Sequence, residues 1–191
     1  KDFLNSINDN KENLIDSDKD YVLLGQERHD VGRPNDVGYP VRGIVKDGFM
    51  YLINYENERW PAGNPETGYT NTDGSPTKTE ILNLNRTGKD QEYWKWSFGK
   101  HPKEELYQVS IDEHCMNDLA SKTEYQTIKK ELKKILETEL KKQNDPRMFG
   151  NGNVFDNYMP DRNVHFYEKY MNGEKVKSGW INDTDFEKKS K

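Results

Sequence analysis

Five consecutive residues, Gln26-Glu27-Arg28-His29-Asp30, put an acid, a permanent cation, an imidazole and a second acid next to one another. They follow directly on the apolar run Tyr21-Val22-Leu23-Leu24, which ends at Gly25. Such a cluster at the carboxyl end of a strand is where open α/β sheets gather ligands. An imidazole titrating near neutrality can exchange protons, and a guanidinium can pair with sulfate or carboxylate. From spacing alone the plainer reading is favoured, in which the charges of a strand exit are solvated or pair with each other.

Other candidate chemistry is sparse. The remaining histidines are His101, His114 and His165, and none falls in a pattern such as His-Glu-x-x-His. His101 and His114 lie in turn-like polar segments, and His165 alternates within a predicted strand. The single cysteine, Cys115, excludes an intramolecular disulfide and a Cys-rich metal site. Its neighbour His114 does not make it a nucleophile, since activation depends on spatial geometry. No phosphate loop, nucleophile elbow or dinucleotide fingerprint is present. Trp60, Tyr69, Trp94 and Trp96 lie in irregular stretches, where they either stack on sugar rings or pack the loops down.

These residues must be positioned by a chain of 191 residues with net charge −5. Leu, Ile, Val and Phe make up about a fifth of it, close to the level at which disorder sets in. The 12% of aromatic residues argues for a folded, polar, loop-rich object with a thin core. A partner domain covering part of its surface would account for that thinness. Interspersed charges and a slightly acidic balance argue against nucleic acid as a partner. No apolar run reaches the roughly 20 residues needed to span a bilayer. No signal peptide is visible, and a chain opening Lys1-Asp2 reads as truncated or processed.

Taken in order, residues 1–18 predict a short helix and a linker. Tyr21–Gly25 predicts a strand covered on both faces. Residues 39–46 and 49–55 flank Asp47-Gly48 and predict a type I′ hairpin, with Phe49, Tyr51, Ile53 and Tyr55 on one face. Residues 56–90 read as mostly irregular, with a short helix or turn over 78–84. A strand is predicted at Glu105–Val109. The 121–142 segment carries Tyr125, Ile128, Leu132, Ile135, Leu136 and Leu140 at helical spacing, with Ser121 and Glu124 fitting a capping box. Its lysines read as a solvated surface. Asn172-Gly173 predicts a last hairpin, and the residues from Asp183 on a frayed end.

Several separated motifs together resemble a family. Gly25-Gln26-Glu27-Arg28-His29, Gly38-Tyr39-Pro40-Val41-Arg42, Tyr51-Leu52 and Arg59-Trp60-Pro61-Ala62-Gly63 resemble the C-terminal part of sulfatases. So do Glu104-Glu105-Leu106-Tyr107, Asp112 and Asn117-Asp118-Leu119-Ala120. Asp145-Pro146-Arg147-Met148, Gly150-Asn151-Gly152 and Val154-Phe155-Asp156 are similar to the end of the heparan N-sulfatase (N-sulfoglucosamine sulfohydrolase) branch, common in bacteria.

The resemblance implies an α+β fold, a small antiparallel sheet packed by a long amphipathic helix, as in the C-terminal subdomain of the alkaline-phosphatase-like sulfatases. It implies that residues 1–30 complete an upstream α/β catalytic domain, that 31–160 form the subdomain, and that 161–191 are an extension. It implies hydrolysis of N- or O-linked sulfate from a glycosaminoglycan-type sugar by a periplasmic or secreted protein. The family's calcium ion and formylglycine nucleophile would belong to the upstream domain. Cys115 is followed by Met116-Asn117-Asp118, not by the family's Cys-x-Pro-x-Arg pattern, so this chain would supply substrate contacts and not the nucleophile. Glu27, Arg28 and His29 are the expected substrate contacts, with Arg33, Arg42, Arg59 and Trp60 behind them. The competing reading is a stand-alone carbohydrate-binding or structural module using Trp60, Trp94 and Trp96.

Overall fold

The computed structural model describes residues 20–160, 162–176 and 178–187. The helix expected within residues 1–18 lies outside them. The fold is α+β. Four antiparallel strands, β1 (Tyr21–Gln26), β2 (Val41–Lys46), β3 (Phe49–Asn54) and β4 (Glu104–Tyr107), form one sheet in the order β1-β2-β3-β4. Asp47 and Gly48 have φ of 50° and 76°, so the β2–β3 connection is the turn their identities predict.

Alternation decides which side chains the sheet buries. Leu23, Ile44, Tyr51 and Leu106 stand in one row across all four strands. The helix α3 (Gln126–Lys142) covers this face with Leu132, Leu136 and Leu140. Each of these leucines contributes about 2 kcal/mol by leaving water. The apolar stripe read from the sequence is therefore the core stripe. The capping box is not formed. A 3-10 turn at Thr123–Tyr125 precedes α3, and Gln126 satisfies the incoming chain instead by donating to the carbonyls of Ala120 and Lys122. Two lysines of α3 are not merely solvated. Lys129 and Lys133 reach Glu104 of β4 at 3.4 and 2.9 Å.

The opposite sheet face carries the row Val22, Val45, Met50 and Tyr107, next to Leu24 and Leu52. β1 was expected to be covered on both faces. Val22 is instead 59% and Leu24 37% exposed. β1 pairs with β2 along six residues, and its other edge has no strand partner among the described residues.

A second, smaller core lies under residues 56–99. The helices α1 (Pro76–Arg86) and α2 (Gln91–Phe98) close on Ala62, Tyr69, Leu82 and Phe98. Ser75 caps α1 by accepting from the Lys78 amide at 3.1 Å, with Pro76 at the first position. The aromatic-rich 93–98 stretch is thus helical, and α1 runs longer than the expected 78–84. Tyr69 and Phe98 rings lie 4.6 Å apart, and the Trp94 indole donates to the Tyr69 hydroxyl at 3.1 Å.

The C-terminal segment departs most from expectation. In place of a hairpin there is a helix, α4 (Phe166–Met171), and Asn172-Gly173 terminates it. Phe166 is buried and Tyr170 packs on Phe186 with ring centroids 5.0 Å apart, a spacing of four residues that suits a helix and not a strand. His165 precedes this helix in the left-handed conformation and is exposed. Residues from Asp183 are not frayed through Glu187. Asp183–Asp185 form a 3-10 turn, and Asp185 is fully buried against Lys78. Among the described residues, no helix is long and apolar enough to cross a membrane.

Candidate functional site

β1 delivers Glu27, Arg28 and His29 to the end of the sheet, and a closed loop holds them there. Gly38 lies so close that a Cβ on it would fall 2.1 Å from the Glu27 carbonyl oxygen, so only glycine allows the two ends of the 27–38 loop to touch. The loop's middle is pinned from below. Thr67 and Thr70 hydroxyls donate to the carbonyls of Gly32 and Val31. Arg33 Nε and Nη2 donate to the carbonyls of Trp60 and Pro61, both at 2.8 Å. Both Asp36 carboxylate oxygens accept from the His165 amide, tying the loop to α4.

Glu27 and Arg42 pair with each other and with neighbouring side chains. The Glu27 carboxylate accepts from Arg42 Nη2 at 2.5 Å and from Arg147 Nε and Nη2 at 2.8 and 2.6 Å. Arg42 Nε also donates to Asp145 at 2.6 Å. Arg147 lies over the rings of Tyr55 and Phe155 at 5.3 and 5.4 Å. This network clamps residues 145–155 onto the sheet end. Arg59 serves the same purpose one step outward, where its guanidinium holds both Asp156 oxygens at 3.2 and 3.0 Å. Burial would raise the Asp156 carboxyl, but the Arg59 hydrogen bond and the Gly38 amide bring it below the ordinary range.

Arg28 and His29 are brought together at a pocket of about 230 Å³, shared with Asp30, Arg162, Asn163 and Trp180. Arg28 Nη1 donates to the Tyr158 carbonyl. Its Nε and Nη2 are buried and have no acceptor among the described residues. His29 is exposed at the same rim. Arg33, Arg59 and Trp60 line a second pocket of about 410 Å³. A depression of about 680 Å³ is lined by Asn144, Phe149, Asn151, Asn153, Val154 and their neighbours, without a titratable group.

Of the expected contacts, Arg28 and His29 form one group and Arg33, Arg59 and Trp60 another, while Glu27 and Arg42 form a structural pair. Sequence reading missed Asp145 and Arg147 as their partners, and Arg162 and Trp180 as pocket walls. Arg162 and Trp180 lie more than 130 residues from Arg28, and no local pattern links them. The expected tryptophan platform is also rearranged. Trp60 packs edge-on against Trp94 at 6.0 Å, with Lys100 Nζ 5.5 Å from the Trp60 ring, whereas Trp96 pairs with Tyr93 on the surface.

The described residues do not fit the nucleophile or the calcium ion that the resemblance implies. Cys115 sits in a left-handed turn, and burial, followed by Asp112 and Glu105, pushes its thiol up, the reverse of activation. The described carboxylates and histidines gather within 4.8 Å at Asp36, His165 and Glu168. Asp36 already caps α4, Glu168 accepts from the Asn35 amide at 2.7 Å, and calcium takes six to eight oxygens.

No protein-family model matches the chain. Over 125 residues it is 30% identical to an ulvan-active sulfatase of Formosa agariphila, a match that covers 63% of this chain and 19% of that protein. The chain therefore spans about a fifth of the length of the relative it matches. The similarity is to a sulfatase in general and does not single out the heparan N-sulfatase branch.

Proposed function

We propose that this chain is the substrate-contacting C-terminal part of a sulfatase that removes sulfate from an acidic polysaccharide. The observation that carries the reading is Arg28. Its guanidinium has two buried donors without acceptors among the described residues, at a pocket edged by His29 and Arg162. A sulfate or carboxylate group on a sugar would satisfy those donors with charge-assisted hydrogen bonds. His29, exposed beside it, would hydrogen-bond a ring hydroxyl. The similarity to an ulvan-active sulfatase supports the reaction class.

In this reading the nucleophile and the calcium ion belong to an upstream domain, which would also cover the apolar face of Val22 and Leu24. A glycosaminoglycan-type sugar with N- or O-linked sulfate is the finer form of the proposal, and ulvan is its natural comparator. A polymeric substrate implies a periplasmic or secreted enzyme. Residues that position a substrate supply a large share of the rate, so Arg28→Ala or His29→Ala should lower kcat/KM about a hundredfold. The substrates are sulfated glucosamine and ulvan oligosaccharides, and values unchanged in both variants on both substrates would sink the proposal.

A second reading, a carbohydrate-binding module, is favoured by one observation. Trp96 is 56% exposed on α2 and meets Tyr93 edge-on at 5.6 Å. Glycan-array binding by this chain, lost in Trp96→Ala and kept in Arg28→Ala, would favour the module.

A further inference from the structure

Arg33 is the deepest charge in the loop after β1, with 1% of its surface exposed. Two of its nitrogens are engaged by the carbonyls of Trp60 and Pro61. The third, Nη1, is buried and has no acceptor among the described residues. Burial, followed by the nearby Arg59, lowers its pKa to about 10, while Asp30 acts only weakly in the opposite sense. Arg59 is itself committed to Asp156. A buried cation hydrogen-bonded to no carboxylate among the described residues is expensive, because two carbonyls return only part of its lost hydration.

The space next to this charge is a pocket of about 410 Å³ formed by Arg33, Asn35, Arg59, Trp60 and Asn64, with Pro34 and Val37. The acid on its lining is Glu58, and the Glu58 carboxylate is drawn off by Lys100 at 3.5 Å. Lys100 in turn lies over the Trp60 ring. Two cations, one acid and one indole thus line a cavity large enough for a single charged sugar unit.

We propose that this pocket is an oxyanion subsite, in which a sulfate ester or carboxylate group pairs with Arg33 while the ring that bears it lies against Trp60. The oxyanion rests on the state of Arg33 alone. That a saccharide bears it rests on the function proposed above. Sulfate and carboxylate both present oxygens at the spacing a guanidinium fork accepts. Nη1 is itself buried, so direct contact requires a side chain of the lining to move. The subsite is separate from the Arg28–His29 pocket and would hold a second charged group of the same polymer.

The test uses inorganic sulfate, sodium glucuronate and neutral glucose as probes, followed by ¹⁵N NMR of the Arg33 Nε and the Trp60 indole. Saturable shifts of both signals with sulfate and glucuronate, and none with glucose, are expected. Arg33→Gln should weaken both anions about tenfold or more, the scale of one charged hydrogen bond. Because that variant also loses two carbonyl contacts, Trp60→Leu provides a second arm. It keeps the backbone carbonyl that Arg33 binds, and should weaken glucuronate while leaving sulfate unchanged. These affinities are read at the Arg33 and Trp60 signals, and the function is read separately by the kcat/KM of Arg28→Ala, so a failed function and a failed subsite read differently. Non-saturating shifts spread over surface lysines, an adventitious ion only, would overturn the proposal. So would unchanged affinity in Arg33→Gln, or a protein carboxylate found on Nη1 in a structure that includes a neighbouring domain.

Discussion

Replacing Lys78 by Met should unlatch the C-terminal segment from the second core. Lys78 Nζ donates to the carbonyls of Gly68, Tyr69 and Thr72 at 2.8, 3.3 and 2.6 Å and pairs with Asp185 at 3.4 Å. Both side chains are buried, at 1% and 0% exposure. Methionine keeps the bulk of the stem but removes the charge, so the Gly68 and Thr72 carbonyls lose this donor and Asp185 loses its cation, while Tyr69 keeps the Thr72 amide and Asp185 the Asn182 amide. Removing one member of a buried pair costs about 3–5 kcal/mol. For a chain of this size that corresponds to a fall in Tm of about 10 °C. Urea unfolding should show a lower midpoint with an unchanged slope. Adding Asp185→Asn removes the stranded charge, keeps the acceptor that the Asn182 amide uses at 3.0 Å, and should restore part of the loss. A loss under about 1 kcal/mol for Lys78→Met, or no recovery in the double variant, would refute the view that this pair holds residues 182–187.

Three further outcomes follow from the same geometry. Glu27→Gln should lower stability by about 2 kcal/mol in a urea melt, because Arg42 and Arg147 share that carboxylate, while changing saccharide affinity less than about twofold. Burial would raise Glu104, but hydrogen bonds from Tyr51 and Lys133 and the charge of Lys129 bring it from 4.5 down to about 2. Its contribution is complete above pH 4.5 and lost as pH falls towards 2, so a Glu104→Gln variant should show a flatter acid limb in its stability profile. The Glu105 hydrogen bond, working against burial, raises His101 above 6.5. The stability it adds is present below that value and fades as pH rises through the folded pKa, which an imidazole NMR titration would check.

Local signals were legible where short-range chemistry and long-range packing agreed. Asp47-Gly48 made its hairpin because both flanking runs carry apolar residues that the sheet buries. Asn172-Gly173 gives the same turn signal, yet the run after it, Glu174-Lys175-Val176, offers little to bury. Phe166 and Tyr170 therefore decide in favour of a helix. The leucine stripe of α3 was readable because it is periodic. The capping box failed because the 3-10 turn shifted the helix start to Gln126.

At the candidate site, the types of Glu27, Arg28 and His29 were visible but their assignments were not. Glu27 and Arg28 are adjacent charged residues, and only the fold shows that Arg147 claims the first and leaves the second without a carboxylate among the described residues. Lys78 and Asp185, 107 positions apart, have no sequence pattern at all to join them.

The central claim is that Arg28 and His29 touch the sulfated sugar. It is tested most directly by the kcat/KM of Arg28→Ala on a sulfated oligosaccharide, measured in the protein that carries this chain and well below its unfolding temperature. The account predicts a fall of about a hundredfold with unchanged Tm. An unchanged kcat/KM, or a loss that only follows a lowered Tm, would contradict it.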